Sequence, residues 1–471
     1  MASKEKRQVV VIGAGPGGYA AAFRAADLGL KVTLIDPEVN PGGVCLYRGC
    51  IPSKALLHVA KVKQEAVKAA ALGVQFEDPK IEPQKIFEWK NEVVKKMTQG
   101  LGELADVRKI EYIQGKAVFT SEKELEVLEN EGKKYTLEFE SAIIATGSLV
   151  AELPGVKVDH NLVIDSSDAL DITEIPENML VIGGGYIGLE MGSVYAALGS
   201  SVSIVEMTPG FLPGADRDLV EVFQEENEDL FENLYFETIV EKVTEENGKA
   251  KVGLKNSEGV QEKEYDKVLL AVGRKPNSAH LNLDKAGVET NEKGFVKVDE
   301  KRQTSTANIY AIGDLTSQPM LAHKAHHEGR IAAEVIAGEK GAAYDPKVIP
   351  AIVFTNPEIA WCGLTETQAK EKGREVKVAT FPWTSSGKAA SMGTRKGLTK
   401  LIFDPDTQRI LGGGVAGKSA GSLIPEIALA IEMAATAHDV SLTIHPHPTL
   451  SETTMEAAES FLGSPTHLFG K

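Results

Sequence analysis

The sequence predicts an α/β protein in which two doubly wound units precede a C-terminal domain of mixed strands and helices. The first observation behind this is a duplication: an apolar strand, a glycine-rich turn, a helix and a second strand ending on an acid occur twice. One copy runs through residues 8–12 into Gly13, Gly15 and Gly18 and returns along 32–35 to Asp36. The other runs through 179–182 into Gly183, Gly185 and Gly188 and returns along 202–205 to Glu206. First glycine and terminal acid lie 23 residues apart in both copies, 13 to 36 and 183 to 206, so the match covers a whole crossover and not the glycines alone. The second observation is the alternation of short strands with an alanine-rich helix after residue 345, which reads as α+β.

Each glycine has a separate task. Gly13 and Gly183 allow the tight turn, Gly15 and Gly185 let the backbone approach a pyrophosphate, and Gly18 and Gly188 let the helix pack closely on its strand. The helix N-termini then face the anionic charge. One such turn is weak evidence, since it also serves as a plain strand-to-helix corner. Two, each with its acid, predict two Rossmann-like dinucleotide sites. A carboxylate at the end of the second strand accepts from a ribose 2′-hydroxyl and repels a 2′-phosphate. Glu206 therefore points to NAD rather than NADP, and Arg217 is the first basic residue after it.

The cysteines carry the chemistry. Only three occur in 471 residues, too few for a disulfide framework, yet Cys45 and Cys50 stand five positions apart in the run 42–54. On a regular helix their Cα atoms would lie about 8–9 Å apart, beyond disulfide reach. The backbone must be irregular between them, and Gly49 and Pro52 supply that irregularity. A bridge closing so short a loop adds little stability, which favours a labile redox disulfide over a structural one. Two free thiols or a metal site are the alternatives, but no second cysteine pair or nearby histidine cluster completes a zinc shell. Cys362 reads as a small buried residue.

These residues resemble the pyridine nucleotide-disulphide oxidoreductases along essentially the whole chain, and within that family most closely the members that oxidise dihydrolipoamide with NAD. The resemblance rests on the cysteine run, on 145–148 (Ala-Thr-Gly-Ser), on 271–274 (Ala-Val-Gly-Arg) with Asn277, on 311–314 (Ala-Ile-Gly-Asp) and on the His-Pro-His-Pro run from His445. It implies a glutathione-reductase-like arrangement: an FAD-binding domain over 1–150, an NAD-binding domain over 151–277, a central domain over 278–344 that completes the FAD site, and a dimerisation domain over 345–471. It implies that Cys45 exchanges with substrate sulfur and that Cys50 lies against the flavin. His447 would be the base and Glu452 its orienting carboxylate, both reaching the disulfide of the other subunit of a homodimer. Lys54 and Glu190 would form the ion pair beside the flavin. Asp314 would bind its ribityl chain, Thr146 and Gly147 would close the first cofactor site and Gly273 the second, and Tyr186 would cover the nicotinamide pocket. His445 would only assist packing.

Two departures from the family pattern stand out. Asp36 is shorter than the usual glutamate, and Tyr47 and Arg48 replace an Asn-Val pair. Arg48 either lowers a nearby thiol pKa or points to solvent.

Mass and composition, 50.5 kDa with 42% hydrophobic residues, suit three to four domains. The net charge of −16, from 51 basic and 67 acidic residues, argues against nucleic acid and anionic membranes. It suits a basic protein partner, and ordinary solubility explains it equally well. The resemblance implies docking on a small basic binding domain of the acyltransferase core of a 2-oxoacid dehydrogenase, or service to a glycine cleavage assembly. No lipoyl domain precedes the first strand, so the lipoyl group is expected on another protein. The N-terminus leads directly into that strand with no signal region or bilayer-spanning run, which makes the cytoplasm the expected location. Within the units, 61–102 is expected as long helices, 123–140 as a charged β-excursion, 232–237 as an ordinary amphipathic segment, 324–336 as a helix and 425–437 as another.

Overall fold

In the computed structural model, which describes residues 5–394 and 396–468, the central strand of the first unit is Glu5–Ile12. The start of the chain that was expected to lead into it, residues 1–4, lies outside the described residues. Val9, Val10 and Val11 are each fully buried, because both faces of the sheet are covered. Val9 and Val11 pack with Ala21, Ala22 and Ala25 of the helix Pro16–Asp27 and with Ala332 and Ala333 of the helix Ala322–Ile336. Val10 and Ile12 point the other way, into a cluster with Phe119, Leu125 and Leu137.

The parallel order in this sheet is Glu111–Ser121, Val32–Asp36, Glu5–Ile12, Lys134–Ile144, Ile309–Ala311. The second unit repeats it with Asn233–Tyr235, Ser201–Val205, Asn178–Ile182, Lys267–Leu270 and, at the far edge, Val163–Ile164. The duplication read from the glycines thus extends to strand order. Only the outermost strand differs in origin: it follows the second unit in the first sheet, and it precedes the glycine-rich turn in the second. Each unit carries an antiparallel excursion, through Glu124–Glu129 in the first and through Ile239–Glu246, Lys249–Asn256 and Gly259–Tyr265 in the second.

The C-terminal domain is a five-stranded antiparallel sheet, ordered Ala351–Val353, Glu358–Gly363, Ile410–Gly417, Leu398–Phe403, Lys377–Pro382. The helices Ala420–Glu432 and Glu452–Leu462 pack on it. Phe381, Trp383 and Phe403 fill its core, and the buried Trp383 indole donates to Thr399 at 3.0 Å. Cys362 is buried there as expected, with burial pushing its thiol up to about 12.

Several expected elements differ. The helical stretch is two helices, Cys50–Lys68 and Pro83–Val107, because Gly73 takes φ +89° and Pro83 opens the second at its first turn. The charged excursion ends in one continuous strand, Lys134–Ile144, that carries on into the parallel sheet. Residues 232–237, expected as an ordinary amphipathic segment, supply the edge strand Asn233–Tyr235. The central helix begins at Ala322. The helix placed over 425–437 is Ala420–Glu432, with Pro425 in its second turn. It stops before Ala434 at φ +53°, and Thr436 and Asp439 form a capping box that starts the new helix Ala437–Leu442.

Candidate active site

Close backbone approach explains the glycine pattern. A Cβ at Gly18 would lie 1.8 Å from the carbonyl oxygen of Gly13, and one at Gly188 would lie 2.0 Å from that of Gly183. Gly13 and Gly183 take φ of +97° and +113° and sit against Ala145 and Ala271. At Gly15 and Gly185, by contrast, no atom lies within 3.9 Å of an added Cβ, so both turns present an open face. The helices that start there, Pro16–Asp27 and Tyr186–Leu198, have no side-chain cap. Their first N–H groups are left for a ligand.

The acids finish the turns. Asp36 is buried, its two oxygens accepting from the Ala14 N–H at 2.7 Å and the Glu38 N–H at 3.0 Å. Burial raises its pKa, and those two N–H groups oppose the rise. Glu206 accepts from the Gly184 N–H at 2.7 Å and from the Thr208 N–H and Oγ1 at 2.8 Å each. The shorter Asp36 thus ties down its own turn.

A cavity of about 730 Å³ runs from Gly13 and Asp36 past both cysteines to Asp314 and Tyr186. That volume falls in the range of about 300–1,000 Å³ usual for cofactor sites. With its open glycine face, uncapped helix N-terminus and polar groups along its length, this cavity fits a dinucleotide such as FAD. The second turn, with Gly185 and Glu206, fits the nicotinamide nucleotide by the same features.

Cys45 is the third residue of the short helix Gly43–Arg48 and Cys50 opens the helix Cys50–Lys68, with Gly49 breaking the path between them. A Cβ at Gly49 would lie 2.9 Å from the Val44 carbonyl oxygen. This is the irregularity the sequence requires. The structure holds the pair as two thiols rather than a bridge. Cys45 donates to the Cys50 sulfur, and that bond holds the Cys50 thiol down to about 7. Burial opposes the shift and Lys54 supports it. The same bond, with burial, pushes Cys45 up. This is a thiol beside a poised thiolate, the reduced form of a redox pair.

Lys54 pairs with the buried Glu190 at 2.8 Å and lies 4.6 Å from the centroid of the Phe354 ring. Glu190 also accepts from the Phe354 N–H at 3.0 Å. Asp314 accepts from Ser148 Oγ at 2.5 Å, and Ser148 Oγ in turn accepts from Arg274 Nε at 2.7 Å. Thr146 donates to the Asn277 carbonyl at 2.8 Å, and the Asn277 N–H bonds the Gly147 carbonyl at 2.9 Å. Gly273, at φ +117°, leads into the strand Arg274–Pro276, which pairs with Ser148–Val150. Tyr186 lines the cavity with 39% of its surface exposed, and its hydroxyl is pushed up to about 12, chiefly by burial.

Arg48 is exposed, as one of the two readings had it, but not free: its guanidinium pairs with Glu38 at 2.5 Å and ties the short cysteine helix to the loop after Asp36. Sequence reading missed Glu38 and the Arg274–Ser148–Asp314 chain. Ser148 and Arg274 were inside quoted motifs, but nothing in their spacing says that they meet.

His447 stands apart. Its Nδ1 is 2.9 Å from Glu452, whose other oxygen accepts from the Thr449 N–H at 2.7 Å. Burial tends to raise the Glu452 carboxyl, but the Thr449 N–H and His447 outweigh it and hold the group low. The His447 side chain is 74% exposed and does not line the cavity of its own chain. The fold makes the pair and leaves it facing outward.

Comparison with known proteins agrees with this geometry. The chain is 48% identical to a dihydrolipoyl dehydrogenase of Haemophilus influenzae, over 99% of this chain and 98% of the relative. It is 47% identical to one of Vibrio cholerae, with the same coverages. Among solved structures, LpdA from Mycobacterium tuberculosis superposes with a TM-score of 0.90 at 25% identity, covering 97% of this chain and 99% of that one. The HOCl-induced flavoprotein disulfide reductase RclA from Escherichia coli superposes at 0.85 with 29% identity, covering 96% and 99%. The profile described as pyridine nucleotide-disulphide oxidoreductase matches residues 7–329, and that family's dimerisation domain matches 349–458. Duplicated turns, paired thiols and C-terminal domain therefore have one common explanation: the chain belongs to the pyridine nucleotide-disulphide oxidoreductase family.

Proposed function

We propose that the chain oxidises dihydrolipoamide, carried on another protein, to lipoamide, and passes the electron pair through Cys45 and Cys50 to FAD and then to NAD. The observation that carries this reading is the hydrogen-bonded thiol pair on the wall of a dinucleotide-sized cavity, beside the Lys54 and Glu190 ion pair. The choice of dithiol is supported by the dihydrolipoyl dehydrogenases that match along the full chain.

In this reading the turn at Gly15 and the helix behind it bind the FAD pyrophosphate, Asp314 the ribityl chain, and the turn at Gly185 with Glu206 binds NAD. His447 takes a proton from one substrate thiol, and Glu452 keeps the imidazole oriented. The substrate thiolate bonds to Cys45 as the Cys45–Cys50 bond breaks and leaves Cys50 as thiolate. The second substrate sulfur then displaces Cys45, closing the lipoamide ring; its proton passes to the departing Cys45 sulfur, and His447 releases the first proton to solvent. Lys54 stabilises the negative charge on Cys50. Bound flavin and nicotinamide supply the onward route for the electron pair, which ends as NADH and restores the bridge. Because the thiols store the electrons between half-reactions, ping-pong kinetics are expected.

Two further parts of the reading concern partners. The outward-facing His447 pair suits a homodimer in which it serves the partner's thiols. Leu429, Met433, Leu442 and Ile444, all at least 62% exposed, give the C-terminal domain an apolar surface for that contact. Docking on the acyltransferase core of a 2-oxoacid dehydrogenase complex, or service to a glycine cleavage assembly, in the cytoplasm, completes the proposal. No helix among the described residues is long and apolar enough to cross a membrane.

The test is the initial rate of NADH formation from dihydrolipoamide with NAD or NADP, with Cys50→Ser as control. Rapid, Cys50-dependent formation with little NADP activity supports the reading. An FAD-loaded protein with an intact thiol pair that fails to turn over dihydrolipoamide sinks it.

A further inference from the structure

Behind the Gly313–Asp314 turn lies a group of charges that the proposed reaction does not use. Glu328 is completely buried in the helix Ala322–Ile336, and one of its oxygens accepts from the Gly313 N–H at 2.5 Å. Its other oxygen meets Lys324 at 3.1 Å and Arg302 at 3.3 Å. Lys324, itself buried, also donates to the carbonyls of Gly313 and Ser317 at 3.3 Å each. Thr316 Oγ1 donates to the Gly313 carbonyl at 2.9 Å, and Arg302 lies over the Tyr344 ring at 4.6 Å. Buried charge is costly and is kept only where it is paired, so two cations around one carboxylate need a reason.

The position supplies one. Gly313 takes φ +76°, and an added Cβ would lie 3.0 Å from Ala325 of the same helix, so the turn is pressed against it. One residue after Glu328, a Cβ at Gly329 would lie 2.3 Å from the Gly17 carbonyl oxygen. A single helix thus backs both the glycine-rich turn and the turn that aims Asp314 into the cavity. The Glu328 carboxylate is the only group in the cluster that accepts from the turn's N–H, and Lys324 holds the turn from its carbonyl side.

We propose that Glu328 is a positioning residue for the flavin site: with Lys324 it fixes the Gly313–Asp314 turn, and the cluster leaves a net positive charge behind Asp314. This rests on the reading of the cavity as the FAD site. The excess cation favours added negative charge on a flavin bound in front of it.

The test is Glu328→Gln in the full chain, measuring FAD affinity by flavin fluorescence on release, and the flavin reduction potential. Loss of a charged acceptor should weaken FAD binding by about tenfold or more. It should also shift the potential, a readout that simple loosening of the fold would not move. Glu328→Asp, which keeps the charge, should restore part of both. If Glu328→Gln does not fold, the double variant Glu328→Gln, Lys324→Met removes one cation with the carboxylate and leaves the net charge of the cluster as it was; FAD binding should then still weaken by about tenfold, because the turn has lost its acceptor, while the potential stays near the wild-type value. A folded variant with unchanged FAD affinity and potential overturns the proposal. A wild-type chain that takes up no FAD overturns instead the reading of the cavity.

Discussion

The Cys45 thiol is the largest cause holding Cys50 near 7, and its removal can be isolated. Cys45→Ala deletes the donor and leaves Lys54 and Glu190 in place. A hydrogen bond to a charged acceptor contributes about 1.5–3 kcal/mol, and a thiol is a weak donor, so the lower end applies. That is about one pKa unit. The Cys50 thiol should move up by about one pKa unit, and its thiolate share at neutral pH should fall. Cys45→Ser keeps a donor and should stay near 7. The measurement is the rate of Cys50 alkylation by iodoacetamide against pH, read by mass spectrometry on the Cys50 peptide. Cys362, buried and with its thiol pushed up to about 12, stays silent. An unchanged midpoint in Cys45→Ala would refute the reasoning and give the whole shift to Lys54.

Two more perturbations follow from the C-terminal histidines. His447→Gln should lower dihydrolipoamide oxidation by about 10²–10⁴-fold, the usual size of a lost general base. It should spare NADH oxidation by an artificial electron acceptor, which bypasses the substrate thiols; equal loss of both activities would count against a base role. His445 is held by Glu426 at 2.6 Å, and that bond raises its pKa against the opposing effect of burial. The protonated form is then favoured in the folded state, so its stabilisation is fully present below about pH 6.5 and is lost as pH rises through the raised folded value. The thermal-melting advantage of wild type over Glu426→Gln should therefore be largest under mildly acidic conditions and shrink above neutrality. An advantage that grows with pH would contradict it.

What the sequence disclosed follows from the range of its signals. The glycines and terminal acids are local signatures of a crossover, so both Rossmann-like units, with Val32–Asp36 in register, were legible. Gly49 announced the break between the cysteines. Helix limits set by local chemistry read less well: the capping box at Thr436 and Asp439 outweighed the alanine-rich pattern around it. Long-range pairings were invisible. Arg48 finds Glu38, Arg274 finds Ser148, and Glu328 finds Gly313 only once the chain is folded, since nothing local distinguishes a buried partner from a solvated charge.

The helix that begins at Cys50 packs on the helix Tyr186–Leu198 of the second unit, and the Lys54 and Glu190 pair spans that contact. Swinging the two units apart would strip a buried carboxylate of its cation, at about 3–5 kcal/mol. Hinged opening is thus a slow and improbable way in. A ring rotation at the half-exposed Tyr186 needs no such rupture, and side-chain flips of this kind run in picoseconds to nanoseconds where domain motions take microseconds or longer. On the proposed reading, in which Tyr186 covers the nicotinamide pocket, coenzyme entry is timed by one side chain, and crowding or cooling that slows whole-domain movement should leave it almost untouched.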